Sequence, residues 1–394
     1  MARMPSSDHT RSPDTALAPS FAAGLHHLVD TGRIPGAVVL VHRQGRTLAH
    51  LAVGQQVPAG VQGSAGVPMQ ADSVFRIYSM TKPIVSLAVL QCMEQGRLQL
   101  SDPVARHLPS FAHATVWDSA RNAPRPAQRS ATVYDLLRHT AGLSYAWDTG
   151  PVADLYRAAR VGARRQTNTE LVAALGPLPL LHEPGTTWEY SRATDVLGTL
   201  LEHLDDAPLG EVLARRVLRP LGMHDTGFAV PPAQAHRLAE PFAHDPDTGQ
   251  PVQLIDVLRP APFESGGGGL VSTAADYARF TQMLLAGGTL DGQRLIGAHT
   301  LAFMTADHIQ GLPVVGDILA PGHGFGLGVS VRRAHGGCPW PGSPGQYGWS
   351  GMGGTHFLVD PALGLGAILL TQAPGQLRFL GEWFAALVYG ALDA

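Results

Sequence analysis

The run from Ile84 to Met93 carries no charged residue. A helix holding Ile84, Val85, Leu87, Val89, Leu90 and Met93 is apolar nearly all round, so any fold that accepts it must set it in the middle of a core. Proline is tolerated near a helix start but not deep inside, and Pro83 therefore puts Ser79 at or just before the N-terminus. Ser79 and Lys82, three apart, share one face. A hydroxyl beside an amine at the positive end of a buried helix suits an activated nucleophile. It equally suits a serine N-cap with a lysine reaching out to solvent. The spacing alone decides neither way.

At 394 residues the chain exceeds one ordinary hydrophobic core, so a large two-part unit or two domains is expected. With 45% hydrophobic and 15% charged residues it has the make-up of a globular protein. A net charge of -3 gives no electrostatic case for nucleic acid or an anionic membrane as partner. The two cysteines, Cys92 and Cys338, do not form a disulfide framework and read as reduced bystanders. Met1 to Pro19 is polar and lacks an apolar core segment, so neither a signal peptide nor an anchor is expected. No apolar run reaches the roughly 18 residues of a membrane span. The expectation is a cytoplasmic protein with residues 1–14 unstructured.

Ala16, Leu17, Phe21, Leu25, Leu28 and Val29 repeat at helical spacing before Gly32, predicting a helix over 15–31. Gly36 to His42 and Arg46 to Val53, joined at Gln44-Gly45, predict a hairpin. Residues 55–72 read as a loop. From about 103 to 254, helices alternate with Pro- and Gly-rich connections: Val133 to His139, Asn168 to Leu175, Thr194 to Leu204 and Leu209 to Val217. Thr132 with Asp135, and Thr273 with Asp276, read as capping boxes. Strands are expected at Gly326 to Val331, His356 to Val359 and Leu365 to Thr371, with a closing helix from Leu377 to Leu392. Strands at both ends and helices between argue for an α+β fold. Its antiparallel sheet is built from N- and C-terminal strands flanked by helices, with an inserted mainly helical region. The expected division is 15–78 with 255–394 as the sheet domain and 79–254 as the helical one, the site lying at their junction.

Several chemistries are excluded. There is no H-E-x-x-H or C-x-x-C, so the 18 histidines do not suggest zinc. Asp245 and Asp247 belong to a turn ending at Gly249. The nucleophile elbow G-x-S-x-G fails because Met352 follows Gly348-Trp349-Ser350-Gly351. Gly266 to Gly269 lack a P-loop lysine and read as backbone passing close beside a pocket. No cofactor or metal is expected.

Two further segments bear on Ser79. Trp188-Glu189-Tyr190-Ser191-Arg192 sets a tyrosine just ahead of a helix, where a phenol near an ammonium makes a usable base; it also suits an ordinary core-rim tyrosine. Tyr347 to Thr355 is rich in small residues and precedes a strand; its N–H groups suit an oxyanion cradle, or simply a glycine-loosened strand entry.

Together the three segments resemble one family, the serine β-lactamase-fold hydrolases, in the branch of class C β-lactamases, D-alanyl-D-alanine peptidases and family VIII carboxylesterases. Ser79-Met80-Thr81-Lys82 matches the family's S-x-x-K, Tyr190 its Y-x-N tyrosine, and Trp349-Ser350-Gly351 the place of the lactamase K-T-G, where esterases commonly carry W-x-G. Leu136 to Leu143, Gly96-Arg97-Leu98 with Asp102-Pro103, and Gly268 to Thr273 agree. The resemblance implies that Ser79 attacks an acyl carbonyl while Lys82 and Tyr190 share the base role. It also implies that the backbone N–H groups of Ser79 and Met352 hold the oxyanion, and that Trp349, Ser350, Gly351 and Arg192 line the substrate pocket. Arg192 stands where lactamases keep an asparagine, and Trp349 replaces a cationic lysine. Both departures suit an uncharged, short-chain or phenolic ester over a β-lactam or a peptide C-terminus. An amide-cleaving relative, an acyltransferase and a non-catalytic ligand sensor are the alternatives; the sensor should lack one of Ser79, Lys82 and Tyr190. His139 is read as helix-end structure and Asp135 as a cap only.

Overall fold

The computed structural model describes residues 17 and 19–392, so the expectation for residues 1–14 lies outside it. An eight-stranded antiparallel sheet runs in the order His323–Phe325, Ser330–Arg332, Tyr347–Gly351, Thr355–Asp360, Leu365–Thr371, Gly36–Arg43, Arg46–Val57 and Val67–Pro68. The first and last thirds of the chain meet where Gly36–Arg43 pairs with Leu365–Thr371, Val39 opposite Leu369. Both strands are apolar without alternation because helices cover both faces. Val38 and Leu40 join Ile368 and Leu370 in a core with the helices Thr81–Glu94 and Ala274–Leu285. Their neighbours Val39 and Val41 face the other way, against Phe21, Leu25 and Leu28 of Pro19–Asp30 and Leu380, Phe384 and Val388 of Leu377–Gly390.

The helix Thr81–Glu94 is buried from Thr81 to Cys92, as its composition requires. A 3-10 turn, Tyr78–Met80, leads into it and carries Ser79. Thr132 and Asp135 form the full reciprocal cap. At Thr273 only half of the expected box forms. The Thr273 hydroxyl accepts from the Asp276 N–H, but the Asp276 carboxylate is drawn away to the Asp225 N–H and the Thr226 hydroxyl.

Two strand expectations need correction. Gly326 to Val331 is not one strand: the chain turns there, with the Gly326 N–H donating to the Val329 carbonyl, and short strands lie on either side. Gly328 explains the break. Its φ is +94°, and a Cβ would come within 2.3 Å of the Ser86 hydroxyl. Conversely, Tyr347–Gly351 is a full inner strand and not merely a loose entry. Gly348 hid it from pattern reading, since glycine weakens the strand signal while letting the backbone approach Phe357. The loop over 55–72 is also shorter than expected, because the second strand continues to Val57.

Among the described residues no helix is long and apolar enough to cross a membrane. Cys92 is buried and Cys338 partly so, and neither is bridged.

One polar joint inside the helical region makes stability depend on pH. Glu202 accepts from the Asn168 side chain (2.9 Å) and the Leu209 N–H (3.0 Å). Burial pushes its carboxyl up to about 7, the Leu209 N–H opposes this, and the neighbouring Glu264 adds to it. The folded state therefore holds a proton that the unfolded chain, near 4.5, has released. This contribution is fully present below the unfolded value and is lost as the pH rises to about 7. The melting temperature should fall between pH 5 and pH 8. Glu202→Gln, which keeps the acceptor oxygen, should flatten that fall and gain about 1 kcal/mol at pH 8, a figure discounted for the group's partial exposure. Thermal melts of both proteins across this range check it; parallel curves would show that Glu202 does not carry the effect.

Candidate active site

Ser79 sits half-buried at the floor of a cleft of about 400 Å3. The residue before it, Tyr78, has φ +44°, a left-handed conformation costing a non-glycine residue roughly 1 kcal/mol. The Tyr78 hydroxyl is anchored by the Ile255 N–H at 3.2 Å. Lys82 is completely buried, and its three donor positions are all used: the Ser79 hydroxyl at 3.2 Å, the Tyr145 hydroxyl at 3.1 Å and the Gly267 carbonyl at 2.7 Å. None of these partners is charged. Helical spacing thus brings Ser79 and Lys82 together as the sequence suggests.

Tyr190 stands against Lys82 by its ring face, 4.5 Å from Nζ to the centroid, with no hydrogen bond between them. Its hydroxyl accepts from Trp349 Nε1 at 3.3 Å, and the two rings pack 5.4 Å apart. The phenol that bonds the lysine is Tyr145, which sequence reasoning missed. It lies two residues beyond the Leu136 to Leu143 motif, close enough to have been found by following the motif outward. Burial holds the Tyr145 hydroxyl protonated, well above the usual range for a phenol. Trp147 stacks on its ring at 3.7 Å.

His139 is buried beneath Tyr190, ring centroids 4.9 Å apart, and its Nδ1 accepts from the Ser191 N–H at 3.2 Å. Burial, and then the Lys82 charge, hold its imidazole well below the usual histidine range. It supports the tyrosine from behind.

Asp195, on the first turn of the helix Ala193–Asp205, fixes the glycine run. Its carboxylate accepts from the Ser265 hydroxyl (2.6 Å) and the Gly267 N–H (2.9 Å). The same peptide segment then offers the Gly267 carbonyl to Lys82. Gly266 must be a glycine, since a Cβ would fall 2.6 Å from the Thr194 carbonyl. Arg192 pairs with Asp195 at 3.1 Å and lies over the Tyr145 ring. Burial works against its charge, but Asp195 more than restores it. Arg192 lines the cleft with its charge already matched.

Trp349, Ser350 and Met352 line the opposite wall. Gly351 does not: it stands behind the wall, where a Cβ would lie 2.1 Å from the Ile77 carbonyl. Its role is to let the strand close on the turn that carries Ser79. The Met352 N–H, in the turn just after this strand, meets no backbone carbonyl among the described residues. The remaining walls are mostly apolar, with Phe228, Val257, Phe263 and Ile318 among them.

An antiparallel sheet backed by helices, with a serine hydroxyl bonded to a buried lysine at the head of the central helix, defines a β-lactamase-fold serine hydrolase. Residues 21–390 match the Beta-lactamase family, and the chain belongs to it. It is 36% identical to Protein Rv1367c of Mycobacterium tuberculosis, over 89% of this chain and 88% of that one. It is 34% identical to Esterase EstB of Burkholderia gladioli, over 90% and 91% of the two chains. Among solved structures, "EstCE1, a hydrolase with promiscuous acyltransferase activity" superposes with a TM-score of 0.79 at 28% identity, covering 94% of this chain and 97% of that one. These relatives set the chain in the esterase branch of the serine β-lactamase fold.

Proposed function

We propose that the chain is a serine carboxylesterase that hydrolyses short-chain or phenolic esters through an acyl-enzyme on Ser79. The observation that carries this reading is the Lys82–Ser79 hydrogen bond at the floor of an aromatic, charge-matched cleft. The Ser79 oxygen attacks the ester carbonyl as its proton passes to Lys82 Nζ, which in this step accepts from the Ser79 hydroxyl while still donating to Tyr145 and Gly267. The carbonyl oxygen, now negative, is held by the N–H groups of Ser79 and Met352. Collapse breaks the carbon–oxygen bond to the alcohol, whose oxygen takes the proton back from Lys82 or through Tyr190. Water then repeats the sequence on the acyl-serine, releasing the acid and restoring the Ser79 hydroxyl. Asp195 positions Lys82 through the Gly267 peptide.

The division into a sheet domain (15–78 with 255–394) and a helical domain (79–254) fits this reading. Tyr145, Tyr190 and Arg192 come from one, and Phe263, Trp349 and Met352 from the other. A second reading, transfer of the acyl group to an alcohol, draws on the promiscuous acyltransferase activity of the relative EstCE1 and uses the same residues. Measuring kcat/KM for p-nitrophenyl butyrate and a chromogenic cephalosporin side by side tests the proposal, with and without added alcohol. Fast ester turnover with little lactam turnover is expected. Comparable lactam turnover would move the amide-cleaving alternative ahead, and ester product dominating over acid would favour transfer.

A further inference from the structure

A second cavity, about 450 Å3, lies beyond the wall of the cleft. It occupies the opposite face of the strand Tyr347–Gly351 from the Tyr190 side, between the sheet and the helix Leu377–Gly390. The cross-strand pairs Gly348–Leu358 and Ser350–His356 form its floor, and Phe384 and Ala385 of the helix its roof. Ile318, Trp349, Ser350 and Leu377 line both spaces, so the two meet at this strand.

By area the walls are chiefly apolar; Asp317, Arg378 and Glu382, exposed and ion-paired with one another, also line the cavity. The His356 imidazole lines the cavity, and its buried Nε2 has no hydrogen-bond partner. Burial lowers its pKa to about 4, so the ring is neutral. Gly381 lets the helix pass over this ring, since a Cβ there would come within 2.9 Å of it.

The direction in which an ester would lie follows from the site. Tyr190 and its partner Trp349 stand at the wall shared with the second cavity, whereas Phe228, Val257 and Phe263 belong to the first alone. A leaving oxygen that collects its proton on the Tyr190 side points the alcohol half toward Trp349 and Ser350. The acyl half then lies toward Phe228 and Phe263. We infer that the second cavity is the alcohol subsite of this hydrolase, and that it takes a bulky uncharged aryl or alicyclic group. This rests on the ester-hydrolase reading and narrows it: the acyl part is short, and the alcohol is the large half. Ile318, 49% exposed and lining both spaces, gives such a group an apolar entrance.

The test compares kcat/KM for 4-phenylphenyl butyrate with that for methyl butyrate in the wild type and two cavity-filling variants. Ala385→Leu fills from the helix. Ala320→Phe fills from the half-buried loop wall and keeps the test open if the helix variant does not fold. In each folded variant the ratio of bulky to small ester should fall about tenfold. A ratio that neither variant moves overturns the subsite. Failure of the ester-hydrolase reading is distinct: neither butyrate would then be cleaved by the wild type in a Ser79-dependent way.

Discussion

Ser79→Ala should lower kcat/KM for p-nitrophenyl butyrate by at least about 10,000-fold, leaving only the residual catalysis of a nucleophile-less site. The structure makes this a clean experiment. Ser79 is half-buried, accepts one hydrogen bond from Lys82 and caps nothing, since the helix Thr81–Glu94 has Met80 at its N-cap. Removing one oxygen therefore leaves the strained Tyr78, the oxyanion N–H groups and the cleft walls in place. The melting temperature should stay close to that of the wild type. KM should move little, because the lost group acts in the chemical step and not in holding the ester. Steady-state kinetics with mass spectrometry of the acylated wild type check both halves. Activity surviving in Ser79→Ala would remove the acyl-enzyme mechanism altogether.

Lys82→Met should cost about 1,000-fold in kcat, within the range for loss of a general base. Methionine fills nearly the same buried space, so packing is largely kept. What disappears is every hydrogen bond that the amine makes to Ser79, Tyr145 and Gly267. The Gly267 carbonyl loses a buried partner, so some stability falls as well. Tyr145→Phe is the informative companion. It removes one of the three partners while sparing the serine contact, and its loss should be about tenfold, well short of a general base's share. Equal losses in the two variants would mean that Tyr145 itself moves the proton. A Lys82→Met enzyme retaining a tenth of the wild-type rate would exclude the lysine as base.

What could be read from the chain alone was whatever depends on neighbours in sequence. The Ser79–Lys82 pair follows from helical spacing, the hairpin of Gly36 to His42 with Arg46 to Val53 from two apolar runs and a Gln-Gly turn, and the Thr132 cap from a three-residue interval. Gly266 to Gly269 read as backbone beside a pocket, and Gly267 to Gly269 do line the cleft; Tyr145, Asp195 and the Gly267 carbonyl's bond to Lys82 escape because their contacts span the chain. Tyr145 lies 63 residues from Lys82 and Gly267 lies 185, and no local pattern records such a meeting. Tyr190 stands out by its place just ahead of a helix and then by the family resemblance, yet its exact company does not: its hydroxyl meets Trp349 and not the lysine. The strand Tyr347–Gly351 was obscured by the glycines that let it pack.

The pairing of Gly36–Arg43 with Leu365–Thr371 has a consequence for how the molecule comes into being on the ribosome. The hairpin is made before its partner strand, and the whole helical region lies between them in the chain. Until that strand joins, an apolar strand edge stands open, and the Ser79 helix lacks the sheet face that it packs on. The wall formed by Trp349 and Met352 also follows the helical region in the chain. The cleft therefore closes only once the later strands have joined the hairpin. Such long-range closure is slow to form and, once made, locks the two ends of the chain side by side.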